Sequence, residues 1–160
     1  MRYEKWVERP TFVLLAMENL REIIEKHITQ DIELLSVKID SNSSFIKIVI
    51  DSAHDISVDK TAMLAKEIKN NEDILSNFPH GVRLEVGTPG IGSRLEKNFQ
   101  YKKNIGRKIE LEYRSKDNTN KETFLLIGNN KTGINVKDDK VEHYIDYSDI
   151  ISARVKISFD

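Results

Sequence analysis

The sequence predicts an α+β protein made of two small domains. Two amphipathic helix patterns alternate with three short strand patterns up to residue 86, whereas the chain beyond residue 108 shows five short strand patterns. A corner rich in glycine and proline, residues 87–92, ends the first set of strands, because proline has no N–H group to donate within a sheet. We therefore expect an N-terminal α/β domain at residues 1–94 and a C-terminal domain at residues 95–160.

The first expected element is an amphipathic helix over residues 12–27, with Thr11 as its N-cap directly after Pro10. Its apolar residues recur every three or four positions, while most of the charged residues lie off that line: Val13, Met17, Leu20, Ile24 and Ile28. Such a helix covers one face of a sheet. Residues 1–9 show no period, and the pattern leaves open whether Trp6 packs on the domain.

A β-hairpin and a second helix complete the first domain. Residues 35–39 and 45–51 alternate as strands around a polar loop at residues 40–44. Ser57 can cap the second helix, which frays near Asn70, and a turn at residues 79–81 leads into a third strand at residues 82–86. The order is α-β-β-α-β, which predicts a three-stranded sheet covered by two helices.

The sequence predicts that the second domain consists mainly of β-strands. The five strands are expected at residues 109–113, 123–127, 134–137, 141–146 and 153–159, with a helical turn at residues 147–151. A small sheet with exposed edges would aggregate, so we expect a β-barrel closed on itself, of the SH3-like or Sm-like kind.

The composition is typical of a soluble globular protein. Of the 160 residues, 39% are hydrophobic, 32% are charged and none is cysteine, which excludes disulfides, thiolate nucleophiles and zinc–thiolate sites. No apolar run approaches the roughly 20 residues that cross a bilayer, and residues 1–6 lack the apolar region of a secretion signal. We therefore expect a cytoplasmic protein that does not associate with membranes.

Positive charge is concentrated in residues 97–108, which we call the basic segment. It holds five cations, no acid and the aromatics Phe99 and Tyr101, in a chain whose net charge is only −1. Cations at this density can bind phosphates, and aromatic rings can stack on unpaired bases. Two alternatives stay open: the cations form a solvated face, and the two rings pack between the domains.

No residue pattern predicts catalysis. His27, His54, His80 and His143 are scattered without a metal-binding spacing, and the adjacent carboxylates at residues 72–73 and 138–139 lie in turns. The glycine-rich corner contains neither a dinucleotide-binding nor a P-loop motif. We therefore predict no enzyme activity, no cofactor and no metal; an enzyme would require a pocket lined by histidine or paired carboxylates.

The segment LEVGTPGI, residues 84–91, resembles the EVSSPGL signature of the RimP family of ribosome maturation factors. The order of elements over residues 12–159 is similar as well, although Gly92-Ser93-Arg94-Leu95 stands where family members usually have Asp-Arg-Pro-Leu. The resemblance implies a small C-terminal barrel. It also implies a non-enzymatic, cytoplasmic factor that binds the immature small (30S) ribosomal subunit through ribosomal RNA and a small-subunit ribosomal protein.

Charge and position select the expected ribosome-contact surface, which consists of Thr88, Pro89, Gly90, Arg94, Lys102, Lys103, Arg107 and Lys108. Two other roles remain open: the corner sets only the orientation of the domains, and Arg94 anchors it through Glu85 or Glu96. The alternative function is an Sm-like RNA-binding module that assembles into rings, whereas the maturation factor is expected to be a monomer.

Overall fold

The computed structural model describes residues 8–157, with side chains described from residue 18 onward. The chain divides into two compact units, residues 1–88 and 89–160. Within them the mixed α+β class is confirmed, with helices and a three-stranded sheet in the first unit and a five-stranded sheet in the second. The predictions for Trp6, for the side chains of Val13 and Met17, and for the strand end at Phe159 lie outside the described residues.

The first unit places three helices on a three-stranded sheet. The elements are α1 (Glu8–His27), β1 (Glu33–Asp40), β2 (Phe45–Asp51), α2 (Val58–Lys69), α3 (Glu72–Asn77) and β3 (Arg83–Gly87). The sheet order is β1-β2-β3, with an antiparallel β1–β2 hairpin and a parallel β2–β3 pair. The parallel pair needs a long crossover connection, which α2 and α3 supply.

Two local predictions for this unit were wrong. Helix α1 begins at Glu8, so Thr11 lies inside it, and Pro10 falls in the first turn, where its missing N–H costs no helical bond. The expected pair of helices is a set of three, because Asn71 caps α3 by accepting from the N–H groups of Asp73 at 2.9 Å and Ile74 at 3.3 Å. Helix α3 has only six residues, too few to show a helical period.

One face of the sheet forms the core of the first unit. The alternating residues Ile46, Ile48 and Ile50 are completely buried and pack with residues from all three helices, including Ile24, Ile68 and Ile74. Lys47, between them, is exposed. The sheet is therefore one-sided, with its helices on one face and charged residues on the other.

The second unit is a five-stranded antiparallel sheet preceded by a short helix. The elements are α4 (Asn98–Lys103), β4 (Lys108–Ser115), β5 (Asn118–Asn129), β6 (Gly133–Lys137), β7 (Glu142–Asp146), a 3₁₀ turn (Tyr147–Asp149) and β8 (Ile150–Val155). Five strands and the helical turn are confirmed, but the turn ends at Asp149 and the last strand begins at Ile150 instead of residue 153 and ends at Val155. The strand order is β7-β6-β5-β4-β8. The expected closure is not seen in the described part of the chain, where no backbone pairing joins β7 to β8.

The core of the second unit follows the predicted alternation of its strands. Ile109 and Leu111 of β4 are completely buried, as are Leu126, Ile134 and Val136 of the neighbouring strands. Helix α4 was not predicted, because the basic segment shows charge more strongly than it shows a helical period. Helix α4 places Tyr101 in the same core, and the burial of this side chain determines which residues of the basic segment face the solvent.

Candidate functional site

The corner after β3 is a tight turn on the exposed surface. The N–H of Ser93 donates to the carbonyl of Gly90 at 3.1 Å, and Gly92 adopts a φ of +77°, a backbone conformation that favours glycine. Gly87 and Gly90, the other glycines of the corner, do not have a positive φ. Thr88 and Gly90 are exposed and Pro89 is half-buried, so all three predicted corner residues present surface.

Arg94 is held beside the last strand. Its backbone forms an isolated antiparallel bridge with Arg154, and the N–H of Leu95 donates to the carbonyl of Ala153 at 2.8 Å. The guanidinium of Arg154 donates to the carbonyl of Gly92 at 3.0 Å. Among the described residues no ion pair joins Arg94 to Glu96, and the Arg94 side chain is exposed. The structure thus places two arginines next to each other, of which the sequence indicated only one.

A buried amide fixes the start of α4. The Gln100 side chain is 2% exposed, and its Oε1 accepts from the backbone N–H groups of Glu96 at 2.8 Å and Lys97 at 2.9 Å. These two groups precede the helix and would otherwise lack acceptors, so Gln100 acts as a cap from inside the helix. The side chain of Asn104 closes the other end by donating to the carbonyl of Gln100 at 2.8 Å.

Tyr101 is structural, which corrects the expectation that it could stack on bases or lie between the domains. Its ring is 3% exposed within the core of the second unit and lies 5.3 Å from the ring of Tyr147. Its hydroxyl donates to the carbonyl of Leu95 at 3.1 Å, and burial raises the pKa of this hydroxyl well above its ordinary value. Tyr101 therefore holds in place the residue that follows Arg94. Phe99 is only half-buried.

With Tyr101 turned inward, the helix carries its cations on the outside. Lys102 and Lys103 lie in the last turn of α4 and are exposed, where positive charge is favourable next to the negative end of the helix dipole. Three asparagines tie the helix to the end of β5: the amide of Asn98 donates to the carbonyl of Asn130 at 2.6 Å, and that of Asn129 donates to the carbonyl of Asn98 at 3.0 Å. The two lysines are thus carried by an anchored helix.

The rest of the basic segment is pinned to β5 by its backbone. Gly106, with a φ of +90°, donates its N–H to the carbonyl of Leu126 at 2.8 Å, and the N–H of Leu126 donates to the carbonyl of Arg107 at 3.0 Å. Lys108 then begins β4 opposite Leu125. The side chains of Arg107 and Lys108 remain exposed at this position.

Strand β8 brings two further cations to this surface. The N–H of Lys156 donates to the carbonyl of Lys108 at 2.9 Å, and Arg154 lies two residues earlier, beside Arg94. Residues two apart in an extended chain share a face, so these four exposed side chains form a cationic cluster, which consists of Arg94, Lys108, Arg154 and Lys156. Glu110, opposite Arg154 on β4, is the acid nearest to the cluster by strand register.

The cluster divides the predicted contact residues into two groups. Arg94 and Lys108 join it, whereas Lys102 and Lys103 stay on α4 and Arg107 lies between the two. Sequence reasoning missed Arg154 and Lys156. The alternation of the last strand puts both on its outer side, but only the register of β8 against β4 shows which residues they meet.

A groove of about 500 Å³ lies beside the cluster within the second unit. It runs between the segment at residues 94–98 and β8, with Arg94 and Lys131 among its cations and Glu96 as its acid. Its apolar lining includes Ile151, which is 40% exposed. The groove combines two positive side chains with a partly apolar lining, features that suit an anionic partner with an apolar part.

The histidines show no shared site. His143 contacts Asp138 at 2.9 Å, and His27 contacts the side chain of Asn71 at 3.2 Å, in different units. Over residues 18–157, no three side chains of the types that ligate metals come together. None of the helices in the described part of the chain is long and apolar enough to cross a membrane.

Comparison with known proteins matches this chain to one group. A family model described as the RimP N-terminal domain matches residues 23–92, which include β1 to β3 and the corner. The protein named ribosome maturation factor RimP of Christiangramia forsetii is 30% identical over 159 residues, which cover 91% of this chain and 100% of that relative. The similarity therefore extends through both units.

Proposed function

The chain belongs to the RimP family of ribosome maturation factors, and from this premise we propose that it binds the immature small (30S) ribosomal subunit in the cytoplasm. It assists assembly without catalysing a reaction, by stabilising one arrangement of ribosomal RNA and a small-subunit protein over competing ones. Such a factor shifts populations through its differential affinity for the two arrangements and leaves once the particle matures. The observation that carries this proposal is the similarity to a named maturation factor along nearly the whole chain.

The contact surface in this proposal is the corner together with the basic segment: Thr88, Pro89, Gly90, Arg94, Lys102, Lys103, Arg107 and Lys108. Two observations support this surface. All of its residues except Pro89 are exposed. The backbone that carries the cations is held by hydrogen bonds of Gln100, Tyr101 and Gly106. A pre-ordered surface loses little conformational entropy on binding. Arg154 and Lys156 extend the surface beyond the residues that the sequence indicated.

We also propose that the chain forms two domains, residues 1–94 and 95–160, and that the second is an SH3-like barrel. The strand order supports the barrel, because the last strand, β8, pairs with the first strand of the unit, β4, as it does when a meander curls back on itself. The protein acts as a monomer.

Gradient fractionation of cell extracts tests the function. The protein is expected to travel with immature small subunits and to be absent from mature ones; its absence from all ribosomal fractions would refute the proposal. The contact surface is tested by the triple variant Lys102→Glu, Lys103→Glu and Arg107→Glu, which should lose cofractionation because three phosphate-binding charges are reversed. The matched control reverses three exposed turn or strand lysines, Lys116, Lys121 and Lys140, and should retain it.

The alternative, an Sm-like ring, is favoured by one observation, the outer edge of β7, which pairs with no other strand in the described part of the chain. Rings built through such edges are multimers, whereas the proposed factor is a monomer. Sedimentation of the purified chain at several concentrations separates the two, since a stable multimer would support the ring.

A further inference from the structure

The exposed face of the first sheet carries an arrangement that the contact surface above does not include. All three helices of the first unit pack on the face formed by Ile46, Ile48 and Ile50. On the opposite face, Lys47 of the central strand lies between Lys38 of β1 and Glu85 of β3, and Phe45 lies between Asp40 and Arg83. The charged members of these two rows are exposed, and Phe45 is half-buried.

The charges of these two rows are not balanced by their neighbours in the sheet. Lys38 and Lys47 are direct cross-strand partners, and like charges in that position destabilise a sheet. Glu85 neighbours Lys47 only from the other side. Asp40, the second acid of these two rows, is engaged by its own hairpin loop: its carboxylate accepts from the N–H of Asn42 at 3.0 Å and from the hydroxyl of Ser43 at 2.7 Å. These two rows therefore carry three cations against two acids, whereas the acids Glu33 and Asp51 lie at the other end of the β1–β2 pair.

An aromatic ring lies among these cations. The guanidinium of Arg83 lies 4.3 Å from the centre of the Phe45 ring, a cation–π contact between β3 and the first residue of the central strand. Aromatic rings and guanidinium planes on an open sheet are the groups on which RNA-binding domains stack bases. Residues two apart on a strand are roughly 7 Å apart and neighbouring strands about 5 Å, so lysines and ring fall within a few nucleotides of each other.

We propose that this face, through Lys38, Phe45, Lys47 and Arg83, binds single-stranded RNA. The two lysines neutralise backbone phosphates, which also removes their mutual repulsion, and the Phe45–Arg83 pair stacks an unpaired base. A planar stacking pair favours a nucleic acid over an acidic peptide, and the choice of RNA over DNA rests on the proposed function.

The test measures binding of a fluorescent 12-nucleotide polyuridine to the full chain by anisotropy, between 50 and 200 mM KCl. The variant Lys38→Gln with Lys47→Gln removes two phosphate contacts, so the slope of log K against log salt should fall by about 1.4, with affinity at 50 mM reduced roughly 10- to 100-fold. The matched control, Lys66→Gln with Lys69→Gln in α2, loses the same charge from the same unit and should bind as the parent does.

The stacking pair is tested separately from charge. Phe45→Leu keeps an apolar side chain and should weaken binding about 5- to 100-fold with an unchanged salt slope. Arg83→Lys retains the positive charge but removes the planar guanidinium, and it should also weaken binding. This second variant tests the stacking pair if circular dichroism shows that Phe45→Leu is not folded.

Equal binding by the two lysine double variants would overturn the inference, as would equal affinity for a double-stranded RNA of the same length. Displacement of the RNA by polyglutamate at equal charge concentration would assign the face to an acidic protein instead. Cofractionation with immature subunits, together with no measurable binding of polyuridine, would overturn this inference and leave the proposed function standing.

Discussion

Gly133, the first residue of β6, is the position where the structure leaves least room for a side chain. A Cβ added there would lie 2.4 Å from the carbonyl oxygen of Ile145 and 2.7 Å from the ring of Tyr144, both on the paired strand β7. The tyrosine ring can swing away, since Tyr144 is 50% exposed, at the cost of its 2.5 Å hydrogen bond to Thr132. The carbonyl is part of the backbone and can move only with the strand.

The loss of stability expected for Gly133→Ala follows from the distance that β7 must move to make room for the added Cβ. Carbon–oxygen contacts are tolerated from about 3.3 Å, so β7 must retreat by roughly 0.9 Å. A movement of that size breaks about two hydrogen bonds of the β6–β7 ladder, each contributing about 0.5–1.5 kcal/mol, and the tyrosine bond adds about 1 kcal/mol. We expect the free energy of unfolding to fall by about 3 kcal/mol.

Urea unfolding followed by circular dichroism measures the loss, and hydrogen exchange of the β6 and β7 amides assigns it to the second unit. The control is Gly128→Ala, whose added Cβ would meet only the side chain of Asn135, at 3.4 Å, and whose free energy of unfolding should change by less than about 1 kcal/mol. A loss below about 1 kcal/mol at Gly133, or equal losses in the two variants, would refute the argument from backbone contact.

Two further predictions concern α4 and the turn between β6 and β7. Gln100→Ala removes the acceptor of two N–H groups, so we expect a loss of about 1–2 kcal/mol and faster hydrogen exchange at Glu96 and Lys97; unchanged exchange would show that the side chain is not the cap. The pKa of Asp138 is lowered to about 2, because its carboxylate accepts hydrogen bonds from the backbone N–H of Lys140, from the His143 side chain and from the backbone N–H of Val141. The contribution of Asp138 to stability is therefore complete above about pH 4 and is lost as the pH falls towards 2. Asp138→Asn keeps an acceptor for the two N–H groups, and its melting temperature should therefore fall less steeply over that pH range than the parent's, whereas parallel curves would contradict this assignment.

Regular alternation made most strands predictable. Ile46, Ile48 and Ile50 identified the buried side of β2 because period-two patterns report burial directly. The short helices were not predictable in the same way. Helices α3 and α4 have six residues each, and their starts depend on Asn71 and on Gln100, side chains whose capping role requires a neighbouring backbone to be in place.

The candidate site was predictable in composition and less so in arrangement. The charge of residues 97–108 marked the basic segment, and exposure of Lys102, Lys103, Arg107 and Lys108 agrees with that reading. The inward turn of Tyr101 and the meeting of Arg94 with Arg154 depend on pairing between distant segments. A single sequence contains no signal for such a register, because many alignments of β8 would preserve its alternation.

The pairing of β8 with the segment before α4 also has a consequence during synthesis. Arg154 donates a hydrogen bond to the carbonyl of Gly92, although the two residues are 62 positions apart in the sequence. A nascent chain therefore cannot assemble the cationic cluster until residues 150–156 have emerged from the exit tunnel. The first unit has no such requirement and is free to fold earlier. A polypeptide that stalls before β8 would thus lack Arg154 and Lys156, and with them half of the cationic cluster.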